Sequence, residues 1–534
     1  MDSRYAISFV LDAHVPFVKE YRKDDDLSQA GEEGRFFEYV SETLLPLLGV
    51  LERLENDHVP FCIGLAVSPV LMFLLGDEHL QNKFMLYTDK QIEFGKQELE
   101  RTAEDPEMNK LARMYYLGLM DKKTAYTERY NRNILKAFDS FRRRGKVEIM
   151  ASSATNAFLP FISHNAETLQ AQMEIPASGY RRYFGNVPQG FWLPALGWTG
   201  AIEPYLRAYN YTYTIVDSHG LLYGKPLPEK GSFFPVKTQN GTFILARDFY
   251  AVRDIEKMSN DEIYMNIDRD VGYDLPPEIV SPFLSAEGER HKTGYKYWAR
   301  VYDHSGNNAD TVYDIKSASD KVTEHAKLFL ENTVARLEEA SKHMEEAPIS
   351  LYANSAGCFG NLWHEGPQFI ETLFRLAQGF RDLQFVTPSS YIFSQKLNSL
   401  QVVEPEFSSW GVNGYAETWL DTSSDWIYRH LIRSMERMTE LAERFPDDSG
   451  LKERALNQAA REILLAQSSD WPSLLHRQES TEFARNNAEN ALRNFTTIYE
   501  ALGSNYISTE WLTTLERRHN IFPNINYRVF RRKR

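Results

Sequence analysis

Short runs of apolar residues recur through the first three quarters of the chain, and helical patterns separate several of them. Residues 5–11 form the first run, which ends at Asp12-Ala13-His14. A run without strict alternation of apolar and polar residues is typical of a strand buried on both faces, as in a parallel sheet. Similar runs predict further strands at residues 60–66, 147–151, 189–193, 211–216, 242–246, 349–353 and 383–386.

Apolar residues at helical spacing mark two of the intervening segments. They recur within residues 326–346 and within residues 33–55, where they are Phe36, Phe37, Val40, Leu44, Leu47 and Leu51. Strands that alternate with helices over this length favour an α/β barrel. Residues 82–144 are polar and helix-rich, and we expect them to form a helical excursion over the barrel rim.

The pattern changes after residue 404. Residues 425–445, 451–468 and 482–502 each show helical periodicity, and no strong strand pattern lies between them. We therefore predict a barrel domain over residues 1–404 and an all-helical C-terminal domain over residues 405–534, packed beside it.

Composition narrows the possible partners and the compartment. The chain has 60 basic and 74 acidic side chains, a net charge of −14, which argues against nucleic acid because phosphate binding needs a surplus of Lys and Arg. The sequence has no run of about 18 apolar residues and no signal-peptide pattern, so we expect no membrane partner. Only two cysteines occur, which excludes a disulfide framework. We predict a cytoplasmic protein.

Two strings that follow predicted strands carry a resemblance to a known family. They are Gly-Phe-Trp-Leu-Pro at 190–194 and Phe-Gly-Asn-Leu-Trp-His-Glu-Gly-Pro at 359–367. Both resemble glycoside hydrolase family 57, particularly its α-1,4-glucan branching enzymes. Matching strings elsewhere extend the resemblance over nearly the whole chain; they lie at 11–16, 216–220, 408–411, 417–420, 469–471 and 522–528.

The resemblance implies a fold and a reaction. The fold would be an incomplete, seven-stranded (β/α) barrel with a small inserted subdomain, at about residues 195–238, and a helical C-terminal domain. The reaction would retain anomeric configuration, with a Glu nucleophile and an Asp general acid. Retention requires two carboxyl groups about 5–5.5 Å apart, one to attack carbon and one to protonate the leaving oxygen.

Both catalytic positions carry other residues in this chain. The family's nucleophile follows the Gly-Phe-Trp-Leu-Pro string, where this sequence has Ala195, and its acid lies ten residues before Glu365, where this sequence has Ser355. A methyl group forms no glycosyl ester, and a serine hydroxyl has too high a pKa to donate a proton at neutral pH. Other family residues are also replaced, at Asp12, Asn156, Gly357, Asn361 and Leu362. We therefore predict no catalytic residues and a pseudoenzyme.

A site can still bind sugar after its catalytic carboxylates are lost, because stacking and hydrogen bonding do not need them. We predict a non-catalytic protein of glycogen or α-glucan metabolism that binds an α-glucan or malto-oligosaccharide, or regulates or partners an active glucan-metabolising enzyme. The predicted substrate-binding residues are His14, Trp192, Asp217, His219, Trp363, Trp410 and Trp419. The tryptophans have an alternative role, which is to attach the helical domain to the barrel.

Three alternatives stay open. The first is an active branching enzyme or 4-α-glucanotransferase that uses atypical residues, with Asp12 as one carboxyl group. The second is a metal-dependent activity at the barrel mouth, because Asp12 and His14, like Asp217 and His219, are spaced to project together from a strand end. We favour a hydrogen-bonded polar cluster over a metal site there, and we predict no metal and no cofactor. The third is a structural partner whose cleft is filled by side chains.

Overall fold

The computed structural model describes residues 4–19, 31–285, 288–302 and 306–532. One sheet dominates this part of the chain. Its strands are β1 (Tyr5–Ala13), β2 (Ile63–Val67), β3 (Val147–Ser152), β4 (Gly190–Trp192), β5 (Tyr213–Val216), β6 (Val236–Lys237), β7 (Phe243–Ala246), β8 (Ile349–Ser355) and β9 (Leu383–Phe385). All eight predicted strands are confirmed.

The sheet is curled and almost entirely parallel. Its strand order is β6-β7-β5-β4-β3-β2-β1-β8, and β9 also pairs with β1. Every pair is parallel except β6 with β7. This confirms the incomplete (β/α) barrel, with helices on its outer face.

Side-chain alternation decides which residues face the barrel interior. Ala6 and Val10 of β1 belong to an interior apolar cluster, whereas Ile7 and Phe9 pack outward against the helices. Because alternate residues of a strand share a face, Asp12 points inward above Val10. The other strands contribute to the same interior cluster through Ala66, Met150, Trp192, Tyr213, Ile215, Leu245, Leu351 and Ala353.

Helices connect and cover the strands. They are α1 (Glu33–Tyr39), α2 (Leu45–Asn56), α3 (Pro69–Leu75), α4 (Glu78–Arg101), α5 (Pro106–Thr124), α6 (Ile134–Arg143), α7 (Leu159–Ile162), α8 (Ala166–Glu174), α9 (Ala177–Phe184), α10 (Glu203–Ala208), α11 (Ser218–Leu222), α12 (Phe249–Ser259), α13 (Val271–Asp274), α14 (Ile315–Ser341), α15 (Gly366–Ala377) and α16 (Pro388–Ser394). A π-helical segment, Val40–Leu44, joins α1 to α2. The helical predictions for 33–55 and 82–144 are therefore confirmed.

One expected segment differs. Residues 195–238, which we expected to form a small inserted subdomain, contain β5, and β5 pairs with both β4 and β7 in the middle of the sheet. Its four residues are all buried, so this part of the segment belongs to the barrel itself. Short helices and isolated bridges instead occupy the long connection between α12 and α14.

The C-terminal part is helical, as predicted. Its helices are α17 (Asp425–Arg444), α18 (Leu451–Ala466), α19 (Asp470–Arg477), α20 (Thr481–Ser504) and α21 (Thr509–Arg518). The α18 helix is the most buried and packs against both α17 and α20. The placement of a domain boundary at 404/405 stays a prediction. No helix in the described ranges is both long and apolar enough to cross a bilayer.

Candidate functional site at the barrel mouth

The ends of β1 and β8 place Asp12 beside Ser355. The two residues are partners in the parallel register, so their side chains leave the sheet on the same face. Asp12 is only 7% exposed, and its Oδ1 has no hydrogen-bond partner among the described residues. Burial raises the pKa of Asp12 to about 7; the charge of Asp470 adds to the rise and that of His14 opposes it. One carboxyl group therefore lies next to Ser355, the position that the resemblance assigns to the family's acid.

His14 connects the barrel to the helical region. Its Nδ1 lies 2.8 Å from the Ser68 hydroxyl, and its Nε2 lies 3.0 Å from both carboxylate oxygens of Asp470 at the start of α19. Asp470 also accepts hydrogen bonds from Ser468 at 2.6 Å and Asn156 at 3.5 Å. Burial alone would lower the pKa of His14 and raise that of Asp470. Their mutual attraction is the stronger effect, so the pKa of His14 is raised and that of Asp470 is lowered.

The raised pKa of Asp12 makes stability depend on pH. The folded chain holds this proton up to about pH 7, whereas the unfolded chain releases it near 3.8. The stabilisation of the folded state by the proton on Asp12 is therefore fully present below pH 3.8 and is lost as the pH rises through 7. We expect Asp12→Asn to raise the free energy of unfolding by about 2 kcal/mol at pH 8 and by much less at pH 5, since the amide remains a buried polar group. Urea unfolding at both pH values measures this. An equal effect at the two pH values would contradict it.

A second polar group lies at the ends of β5 and β7. Asp217 caps α11 by accepting a hydrogen bond from the Ser218 amide at 2.7 Å, and it forms a buried ion pair with Arg247. His219 Nδ1 lies 3.7 Å from Asp217, and its Nε2 lies 2.8 Å from the Gly414 carbonyl oxygen. Burial would raise the pKa of Asp217, but His219 and Arg247 lower it, while nearby Asp217 raises the pKa of His219. Sequence reasoning missed Arg247.

The environment of Ala195 is apolar. The residue lies in a 3-10 turn, Pro194–Leu196, with a left-handed φ of 56°. It is 5% exposed and packs in a cluster with Phe158, Ala416 and Trp419. Trp419 stacks on Phe158 with a centroid separation of 5.1 Å and an interplanar angle of 3°. Carbon and aromatic side chains thus surround the position where the family has its nucleophile.

The predicted tryptophans differ in exposure. Trp192 is fully buried in the barrel interior, edge-on to Trp410 at 5.7 Å, and Trp419 is only 4% exposed. Trp410 is partly exposed, and the Arg247 guanidinium lies 5.9 Å from its ring centroid. Of these three tryptophans, Trp410 is therefore the one that keeps part of its surface exposed.

Trp363 lies away from the mouth. It is 1% exposed and packs among Tyr264, Phe359 and Phe369 in the layer outside the barrel. In this packing the Trp363 ring stabilises the core, and its role in binding a sugar stays a prediction.

The two carboxylate–histidine pairs remain separate. His14 is bonded to Ser68 and Asp470, whereas His219 faces a backbone carbonyl. Within the described ranges no three His, Cys, Asp or Glu side chains are grouped so that they could hold a metal ion. Burial raises the pKa of the Cys358 thiol to about 12, so this thiol is protonated at neutral pH.

Comparison with known proteins gives two family matches. The model of glycosyl hydrolase family 57 matches residues 8–399, and the model of the 1,4-alpha-glucan branching enzyme C-terminal region matches residues 430–530. Together they cover the barrel and most of the helical part.

Similar individual proteins are glucan enzymes. The 1,4-alpha-glucan branching enzyme TK1436 of Thermococcus kodakarensis is 27% identical over 90% of this chain and 71% of its own length. The crystal structure of the alpha-amylase AmyC from Thermotoga maritima is 32% identical, with a TM-score of 0.90 over 99% of this chain and 100% of AmyC. The branching enzyme of Pyrococcus horikoshii is 25% identical, with a TM-score of 0.87 over 100% of this chain and 98% of its own.

Proposed function

The chain belongs to glycosyl hydrolase family 57, and from this premise we propose that it is a branching-enzyme-like member that no longer catalyses glycosyl transfer. Its role is to bind an α-glucan, and through it to regulate or partner an active glucan-metabolising enzyme. The observation that carries this proposal is the pair Ala195 and Ser355 at positions where retention requires two carboxyl groups.

The surroundings of both positions support the loss. Ala195 packs against aromatic rings, and the Ser355 hydroxyl accepts a hydrogen bond from the Gly357 amide at 3.2 Å. Two other carboxylates of the mouth, Asp217 and Asp470, are each bound to a cationic or imidazole partner. Neither is free to attack carbon.

Binding remains chemically possible at the mouth. Trp410 is partly exposed, and Tyr415, whose ring lies 5.2 Å from His219, is 51% exposed. Aromatic faces next to imidazole and guanidinium donors are suited to stacking and hydrogen bonding with a sugar ring. We propose Trp410, Tyr415 and His219 as the glucan contacts.

Titration with maltoheptaose tests this binding proposal. We expect calorimetric heat and a change in tryptophan fluorescence for the unmodified chain, and at least about tenfold weaker mouth binding for Trp410→Ala, because one stacking face is removed. Trp511→Ala, which removes another partly exposed tryptophan in α21, is the matched control and should leave the affinity unchanged. A folded chain that gives neither heat nor a fluorescence change would contradict glucan binding.

Asp12 favours one alternative function. A buried carboxyl group with a pKa near 7, in register with Ser355, is suited to donate a proton. An active transferase would use Asp12 as the acid, but it would still need a nucleophile in place of Ala195. Formation of α-1,6 branches in amylose distinguishes the two proposals.

We also propose a cytoplasmic setting. Cys62 and Cys358 are both free, and burial raises the pKa of each thiol to about 12. Unpaired, protonated thiols are compatible with a reducing compartment.

A further inference from the structure

A large groove lies between the helices that flank the barrel and the C-terminal segment. The helices α3 and α9 form one wall, and the C-terminal segment 520–532 forms the other. Its volume is about 1090 Å³, at the upper end of the range for small-molecule pockets, so its size fits a chain of several sugar units. The residues described above at the mouth do not line it.

One wall holds an aromatic residue in a strained conformation. Phe522 has a left-handed φ of 54°, which is rare for a bulky side chain, yet its ring stays partly exposed. Arg461 fixes this turn by donating to the carbonyl oxygens of Ile521 at 2.8 Å, Phe522 at 3.3 Å and Pro523 at 3.4 Å. The fold therefore maintains an unfavourable backbone conformation that keeps an aromatic ring on the groove wall.

Tyr183 and Phe73 add partly exposed rings on the opposite wall. A Cβ atom built on Gly76 would lie 2.2 Å from the Tyr183 hydroxyl, so the absence of a side chain at Gly76 leaves room for that ring. The Lys19 ammonium lies 5.6 Å from the Phe73 ring centroid, and the Arg182 guanidinium lies 5.5 Å from that of Tyr183. A sugar ring on this wall would therefore meet an aromatic ring together with a cationic hydrogen-bond donor.

Hydrogen-bonding groups in the groove remain unused. Within the described part of the chain, the Arg182 and Arg531 guanidinium groups and the Asn524 amide have no hydrogen-bond or ion-pair partner. Five arginines and four carboxylates line the groove in total. Two of the carboxylates and two of the arginines already form ion pairs with residues outside this lining, so few of these charges are left to attract a polyanion. A neutral ligand rich in hydroxyl groups therefore matches the groove better than an anionic one.

We propose that this groove is a second binding site for a neutral α-glucan segment. Phe522, Tyr183 and Phe73 would stack on the sugar rings, and Arg182, Arg531 and Asn524 would donate to their hydroxyl groups. This inference rests on the proposed glucan-binding function and adds a site to it. Two sites that share no lining residue would let one chain hold two segments of a branched polymer.

Calorimetric titration of the full chain with maltoheptaose tests the proposal. We expect the unmodified chain to bind two equivalents of maltoheptaose and the Arg182→Ala/Tyr183→Ala double variant to bind one. Trp410→Ala should lose the mouth site and retain the groove. Tyr506→Ala removes a 77% exposed tyrosine outside the groove and is the matched control, expected to bind two equivalents. Thermal melts verify that each variant is folded.

The outcomes separate the two proposals. If the folded double variant still binds two equivalents of maltoheptaose, the groove proposal is wrong. It is also wrong if the unmodified chain binds a single equivalent and only Trp410→Ala abolishes that binding. In both cases the mouth proposal stands. If the unmodified chain binds a single equivalent and only the double variant abolishes that binding, the result supports the groove site and contradicts the mouth site. A second titration, with inorganic phosphate, tests the class of ligand: phosphate binding that Arg182→Ala abolishes, with maltoheptaose binding unchanged, would overturn the inference of a neutral ligand.

Discussion

Replacing His14 with alanine is expected to lower the free energy of unfolding by about 3 kcal/mol. The substitution removes both the Ser68 contact and the pair with Asp470, which leaves a buried carboxylate without its main partner. Breaking a buried ion pair by removing one member costs about 3–5 kcal/mol, since the remaining charge is not solvated. We place the loss at the lower end because Ser468 and Asn156 still donate to Asp470. Urea unfolding at pH 7 measures it.

Two further variants isolate the pair. His343→Ala removes a histidine that is 75% exposed and should change the free energy of unfolding by less than about 0.5 kcal/mol. Asp470→Asn in the His14→Ala background removes the unpaired charge, so the double variant should be more stable than His14→Ala alone. If His14→Ala is as stable as the unmodified chain, His14 and Asp470 do not hold the helical part on the barrel.

The strands could be predicted from sequence because their signal is local. Residues 5–11 are apolar almost without interruption, and in the structure β1 pairs with β2, β8 and β9. The strand that was not predicted, Val236–Lys237, has only two residues, so the sequence shows no apolar run there. Within the sheet it pairs only with β7. The subdomain expected at 195–238 came from the family resemblance, and the pattern at 211–216 predicted its strand correctly.

The site was only partly predictable, because its partners are distant in sequence. The spacing of Asp12 and His14 predicted that both would lie at a strand end, but His14 pairs with Asp470, which is 456 residues away. Arg247 follows a predicted strand, yet nothing local shows that this strand pairs with the one that ends at Asp217. Exposure is equally non-local: Trp363 and Trp410 look alike in sequence, and only the packing shows that Trp363 is enclosed.

The rate of glucan transfer is the other quantity for which we expect a large effect. A retaining mechanism needs one carboxylate to form the glycosyl ester and one acid to protonate the leaving oxygen. Ala195 supplies no nucleophile, and Asp12 can replace the acid alone. General acid–base catalysis accelerates a reaction by about 10²–10⁴-fold. Without a nucleophile no glycosyl ester forms, so this acceleration has no covalent intermediate to act on. We expect glucan transfer to be at least about 10⁴-fold slower than in a relative that has both carboxyl groups.

The most direct measurement of this claim is incubation of amylose with the purified chain, followed by debranching and chain-length analysis. An active branching enzyme, such as the Thermococcus kodakarensis relative, is the positive control under the same conditions. We expect an unchanged iodine stain and no new α-1,6 branches, even while maltoheptaose binds. Branches that accumulate with time and enzyme concentration, and that disappear in Asp12→Asn, would contradict it.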